Sequence, residues 1–265
     1  MENLIGYLAS GLIGVSLGLI GGGGSIITIP ILVYLFHLEP TAATGYSLFI
    51  VGTTSLVGGI KSAFNKMVDF RSGLLLAVPS MLTIYLTRHY FLPSIPDEIS
   101  SIGSFVITKD LVTMIFFAFI MILAAIKMIR NTEEPENDSH VEPHNFLKIL
   151  FQGLGVGVVT GVVGAGGGFL IIPTLVLLVG LPMKRAVATS LIIIALNSLL
   201  GLMGDIGGNL KVDYSLMLIL SGLAIVGIFI GGYFSKFIHG NKLKSGFGWF
   251  TLAIAFFIIS KEIFF

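Results

Sequence analysis

Two stretches of this 265-residue chain, Asn3 to Leu38 and Ile149 to Met183, run for 36 and 35 residues without an Asp, Glu, Lys or Arg. At about 1.5 Å per residue, a straight helix of that length would reach roughly 54 Å, against about 30 Å for the hydrocarbon core of a bilayer. Neither stretch can be one straight span. Each is cut by glycines: Gly21-Gly22-Gly23-Gly24 in the first, Gly164-Ala165-Gly166-Gly167-Gly168 in the second. Each must break, either into two spans or into a re-entrant hairpin. The other uncharged stretches, between Pro40 and Ile60, Ser72 and Thr87, Leu111 and Ile126, Ala186 and Gly204, Tyr214 and Ser235, and Ser245 and Ser260, hold 16 to 22 residues. Each suits a single span, with flanking Lys and Arg snorkelling at the shorter ones.

Composition points to the same solvent. Of all residues 55% are hydrophobic and 11% charged, whereas about a quarter are charged in soluble domains. A net charge of +1 excludes a polyanion-binding surface, and with it nucleic acid as a partner. Without Cys there is no disulfide, thiolate metal site or cysteine nucleophile. No cleavable signal peptide is expected, because Glu2 and no basic residue precedes the first apolar stretch.

The chain repeats itself. Shifted by 143 residues, GLIGGGGSIITIPILVYLFHL aligns with GVVGAGGGFLIIPTLVLLVGL, with 17 identities in the 41 positions from Gly18 to Gly58. Ser47, Leu48, Ser55 and Gly58 meet Ser190, Leu191, Ser198 and Gly201. One inserted residue later, Asp69 in MVDF meets Asp213 in KVDY. This is a duplication: residues 1–130 form a first transmembrane repeat, residues 146–265 a second, and the acidic segment 131–145 a cytoplasmic linker.

Charge decides the orientation of the copies. If each broken segment crosses once, the two membrane sides carry eight and seven Lys or Arg residues. If each crosses twice, or dips and returns, one side collects Lys61, Lys66, Arg71, Lys127, Arg130, Lys148, Lys184, Arg185, Lys236, Lys242 and Lys244, and the other only Arg88, Lys109, Lys211 and Lys261. Eleven against four follows the cytoplasmic excess of positive charge. The expected fold is therefore all-α: a polytopic membrane protein of two inverted repeats with about five helices each, glycine-broken helices, and both termini outside the cytoplasm of a bacterial or archaeal plasma membrane. Such repeats are the build of secondary transporters, which hold substrate where discontinuous helices meet.

A glycine break before an apolar helix leaves amides at the helix start without intrahelical partners. Those amides and the helix dipole favour an anion. The candidate substrate-binding residues are Gly22, Gly23, Gly24 and Ser25 at one break and Gly166, Gly167 and Gly168 at the other, joined by Ser47, Thr54, Thr189, Ser190 and Asn197 from the following helices. Each has a plainer reading. Ser and Thr often bond back to their own helix. Asn197 needs a partner, which substrate or a neighbouring helix can supply. Asp69 and Asp213 read as N-caps. Gly153, Gly157 and Gly161, like the pairs Gly14 and Gly18 or Gly227 and Gly231, read as helix-packing stripes. Asp205, in the loop GDIGGN, reads as a turn residue or as part of a proton path. His37, His89, His140 and His144 lack ligand-spaced partners, so neither a metal nor a cofactor is expected.

The paired glycine starts followed by Ile-Pro (Gly18 to Pro30 and Gly161 to Pro173), the entries Gly45-Tyr46-Ser47 and Ala188-Thr189-Ser190, and the elements Val68-Asp69 and Val212-Asp213 resemble the sulfite exporter TauE/SafE family, also called 4-toluene sulfonate uptake permeases. The resemblance covers about residues 5 to 262. It implies transport of sulfite, thiosulfate, sulfoacetate or related organic acids across the inner membrane, coupled to an ion gradient. The first copy departs from the pattern in having Tyr46 where the second has Thr189.

The expected function is thus a secondary transporter for a small sulfur oxyanion or organosulfonate, its two halves rocking about the bound anion. An anion channel and a carrier of another small organic acid remain alternatives. No enzyme is expected, since the spans hold no acid–base pair, HExxH or Ser–Lys constellation, and no GxxxxGK[ST] loop supports an ATP-driven pump. Expected partners are the lipid bilayer and a small anionic substrate. A coupling proton or Na⁺, the direction of movement and an oligomeric state stay open.

Overall fold

The computed structural model describes residues 2–91, 94–96, 98–102, 105–130, 146–163, 168–205 and 213–264. The acidic segment 131–145, Gly166 and Gly167, and the loop from residue 206 to 212 lie outside the described residues. The first half holds α1 (Glu2–Ile20), α2 (Gly23–Tyr34), α3 (Pro40–Phe64), α4 (Phe70–Leu86) and α5 (Lys109–Arg130). The second holds α6 (Phe146–Val163), α7 (Gly168–Pro173), α8 (Met183–Asp205), α9 (Tyr214–Ser235) and α10 (Gly240–Phe264). A π-helical turn, Thr87–Phe91, prolongs α4, and another, Thr174–Val179, prolongs α7. Among the described residues six helices, α3 to α5 and α8 to α10, are long and apolar enough to cross a membrane, while the broken segments supply four shorter apolar ones.

Local chemistry sets the ends of these helices. Pro40 opens α3, where its missing amide costs nothing. The Asp69 carboxylate accepts from the Ser72 amide at 3.1 Å, and Asp213 accepts from Ser215 and Leu216 at 2.9 and 3.1 Å, so both are the N-caps expected of them. His37 and Gly180, equivalent positions in the repeat, stop α2 and the turn after α7 with φ of 53° and 82°. Each lies before an amide that reaches back six residues, Leu38 to the Leu32 carbonyl and Leu181 to that of Leu175.

The first broken segment is a hairpin. A side chain at Gly24 would press on Leu17 and the Ile13 carbonyl, and further along, the rings of Tyr7 and Phe36 lie 6.0 Å apart. Helix α2 therefore runs back along α1 toward the side on which α1 began. The reversal turns on Gly21, whose φ of +77° strains any residue with a Cβ.

Packing displays the inversion. In sequence, α3 and α8 are counterparts, yet Gly52 lies against Ser198 and Leu199 while Gly59 lies against Ile192. They are antiparallel. So are α5 and α10, where Gly248 near the start of α10 meets Ala125 and Ile129 near the end of α5. Between the halves the first helix of each lies parallel to the fourth of the other. Gly14 and Gly18 abut Ala224 and Ile228 on α9. Gly153, Gly157 and Gly161 abut Pro79, Ser80 and Thr87 along α4 and its extension. These are the stripes read as packing devices, and lipid-embedded helices associate by such close van der Waals approach.

Apolar residues both fill the interior and face outward. Ile13, Leu17, Phe169 and Ile194 are fully buried, whereas Phe70, Leu74, Val78 and Leu82 form an exposed stripe on α4. An apolar exterior is what a helix shows to lipid. One element departs from helix. Glu98–Ile102 and Phe105–Thr108 pair antiparallel, with Ile102 opposite Phe105 and a bulge between Glu98 and Ser100. That strand pair lies between α4 and α5 in the chain.

Candidate functional site: the meeting of the two broken segments

The starts of α2 and α7 touch. A side chain at Gly22 would collide with the Gly168 carbonyl, and one at Gly168 would lie 2.9 Å from Ser25 Oγ and 3.0 Å from the Gly22 Cα. Backbone meets backbone here because no Cβ intervenes. Helix α2 has no side-chain cap at its start, and its first amides, from Gly23 to Ser25, have no upstream carbonyl within the helix. Ser25 is fully buried and its hydroxyl donates to the Gly22 carbonyl at 2.7 Å. Ser190 on α8 joins the seam, its Oγ 2.8 Å from the position a Cβ would take on Gly21. That hydroxyl also donates to the Val187 carbonyl at 2.8 Å.

Gly22, before α2, and Gly23 and Gly24, its first two residues, point three ways. Gly22 faces Gly168, Gly23 faces the Phe250 ring on α10 at 3.3 Å, and Gly24 faces α1. So Gly22, Ser25, Gly168 and Ser190 come together, whereas Gly23 and Gly24 contribute backbone alone.

Behind the seam lies the antiparallel pair α3 and α8. Four hydroxyls in these helices, those of Ser47, Thr54, Ser55 and Ser198, are buried and have no hydrogen-bond partner among the described residues. Leaving a buried polar group unpaired costs about 1–3 kcal/mol. Thr53, by contrast, donates to the Phe49 carbonyl at 2.7 Å.

Two candidates make contacts between helices. Asn197 bonds Ser80 of α4, with Nδ2 donating to Oγ at 3.2 Å. Thr189 Oγ1 accepts from the Asp69 amide at 2.9 Å. Its counterpart Tyr46 accepts, through its phenol oxygen, from the amide of Asp213, the counterpart of Asp69. The Tyr-for-Thr departure therefore keeps the partner and lengthens the arm. Sequence reasoning placed both capping aspartates but missed these struts; the signal was the matched spacing of 23 residues from Tyr46 to Asp69 and 24 from Thr189 to Asp213, alike but for the one inserted residue.

A cavity of about 310 Å³ opens between α1, α3, α8 and α9 beside the seam. Gly18, Val187 and Leu191 line it, with Lys61, Lys184 and Lys236. Val187 connects cavity and seam, since its side chain also lies 3.2 Å from the Cβ position of Gly21. Lys61 and Lys184 thus share one end of the molecule.

A family profile described as sulfite exporter TauE/SafE matches residues 7–258. The chain belongs to this family. A probable membrane transporter protein of Xylella fastidiosa (strain 9a5c) is 28% identical over 271 residues, which cover 99% of this chain and 97% of that one. The probable membrane transporter protein YunE of Bacillus subtilis (strain 168) is 30% identical over 236 residues, 79% of this chain and 81% of its own. YdhB of the same organism, also named a probable membrane transporter protein, is 28% identical over 248 residues, 92% and 94%. No solved structure matches the chain. As a TauE/SafE member with this helix content, the protein is a multi-pass membrane transporter.

Proposed function

We propose that this transporter moves a small sulfur-containing oxyanion or organosulfonate, of the sulfite, thiosulfate or sulfoacetate type, by alternating access, with the anion held at the meeting of α2 and α7. The observation that carries the reading is the contact of Gly22 with Gly168 at helix starts supplied by oppositely running halves. Unpaired amides and hydroxyls are donors, which suit oxyanion oxygens better than a bare cation. The orphaned hydroxyls of Ser47, Thr54, Ser55 and Ser198 supply further donors on the two helices that cross behind the seam. Sulfur as the central atom rests on the name of the family. The proposed setting is a prokaryotic plasma membrane, with both termini and the β-hairpin outside, and with Lys61, Lys184 and the linker 131–145 in the cytoplasm.

The test is flux of sulfite, thiosulfate and sulfoacetate into and out of proteoliposomes holding purified protein. Wild type is expected to move at least one of the three. Gly22→Val, which sets a branched side chain against the Gly168 carbonyl, is expected to insert normally and move none. Wild-type flux matched by the Gly22→Val variant would remove the seam from the mechanism.

A further inference from the structure

Three lysines line the cavity beside the seam, and among its described lining residues there is no acid. Lys61 comes from the end of α3, Lys184 from the start of α8, and Lys236 follows α9. Lys61 Nζ lies over the Phe229 ring, 4.5 Å from its centroid. Lys184 Nζ lies 3.5 Å from the Lys236 carbonyl oxygen. Like charges gathered around a cavity with apolar walls repel one another, and the low-dielectric walls focus the field they create. A small dianion entering that space relieves the repulsion.

The opposite end of the molecule is built differently. Through the repeat, Lys61 corresponds to Gly204, Lys184 to Thr41 and Lys236 to Leu92, so none of the three lysines has a basic counterpart. The fold is pseudo-symmetric, and its charge is not.

We infer that Lys61, Lys184 and Lys236 form an anion-capture site, separate from the seam, that draws small oxyanions from one membrane face into the cavity ending at Val187 and Gly18. The inference rests on the transport reading above. The site concentrates anion beside the seam and does not replace it, since the seam holds substrate by hydrogen bonds and the lysines act by charge. Charge attraction across water weakens with salt; hydrogen bonds from buried amides do not weaken comparably. Entry from the lysine face should therefore be tighter and more salt-sensitive than entry from the other.

Flux of sulfoacetate, with sulfite and thiosulfate alongside, is measured in oriented proteoliposomes at low and high ionic strength. The triple variant K61Q/K184Q/K236Q is expected to raise KM from the lysine face by about tenfold at low salt, in the range of electrostatic steering. The change in maximal rate should be much smaller, and the salt dependence should flatten. The charge-preserving K61R/K184R/K236R is expected to restore both, and Lys66→Gln, exposed outside the cavity lining, to change neither. A second readout needs no transport: sulfoacetate should protect Lys61 and Lys184 of purified wild type from acetylation while leaving Lys66 reactive. Wild-type flux with unchanged KM and salt dependence in the glutamine variant, or lysines left unprotected, would overturn the capture site and leave the seam standing. Wild type that moves none of the three anions would overturn the transport reading, and the capture site with it.

Discussion

The two broken segments share a sequence pattern and finish differently. In the first half, α2 continues as a regular helix of 12 residues through Pro30. In the second, α7 gives way after Pro173 to a six-residue π-helical turn. The prolines are equivalent, so proline alone does not cause the change. The next residue differs: Ile31 in one, Thr174 in the other. Thr174 Oγ1 donates to the Leu170 carbonyl at 2.7 Å, competing for the acceptor that the Thr174 amide would use in an α-helix. Such back-bonding loosens and bends helices, and π-turns are frequent at functional sites. One arm of the seam is a regular α-helix and the other is π-wound, so the two starts meet on arms of unequal winding.

The sharpest way to break this comparison is to fill the seam from either side. Gly22→Val and Gly168→Val should both reduce flux to background, since each Cβ meets the opposite backbone. Gly23→Ala should retain flux because its Cβ meets only the edge of Phe250. Equal loss in all three, measured with insertion verified by size-exclusion profile, would show that the whole glycine run is required and not one contact.

The paired struts come next. Thr189→Val and Tyr46→Phe each remove the acceptor of an aspartate amide, a loss of about 1–3 kcal/mol when the orphaned donor is buried. Asp69 is half-buried and Asp213 exposed, so Thr189→Val should lower the melting temperature in detergent more than Tyr46→Phe. The reverse order would mean that the strut in the first half is the stiffer. Smaller again is the Asn197–Ser80 bond. A double-mutant cycle with Asn197→Leu and Ser80→Ala should return a coupling of about 0.6 kcal/mol, the average for hydrogen bonds between membrane helices. The smallest effect is on the unequal arms themselves: Thr174→Ile should slow hydrogen exchange at Val176 to Val179 by restoring α-helical register, and Ile31→Thr should speed it in the matching turn of α2.

Much of this was legible from patterns along the chain. The duplication makes counterparts candidates to pack, as α3 does with α8, and both aspartate caps and the glycine stripes lie where their spacing placed them. A hairpin was left open as one of two ways to break the long segments, because composition cannot tell a reversal at Gly21 from a continuation. The remainder depends on distance in sequence. Asn197 finds Ser80 across 117 residues, and Thr189 finds Asp69 across 120. Lys61 and Lys184 reach one cavity only because α3 and α8 run in opposite directions. The strand pair Glu98–Ile102 and Phe105–Thr108 has no signature in the sequence, because strands of five and four residues are too short to establish a period.

Glycine contacts fasten α1 to α9 and α6 to α4 at the level of the main chain, so each half has its leading helix moored in the other. The gene's two halves are consequently not the mechanical parts. A rigid displacement that opens the proposed seam must carry the moored pairs together, and the joint between α1 and α2, which reverses at Gly21 with φ of +77°, offers a pivot for it.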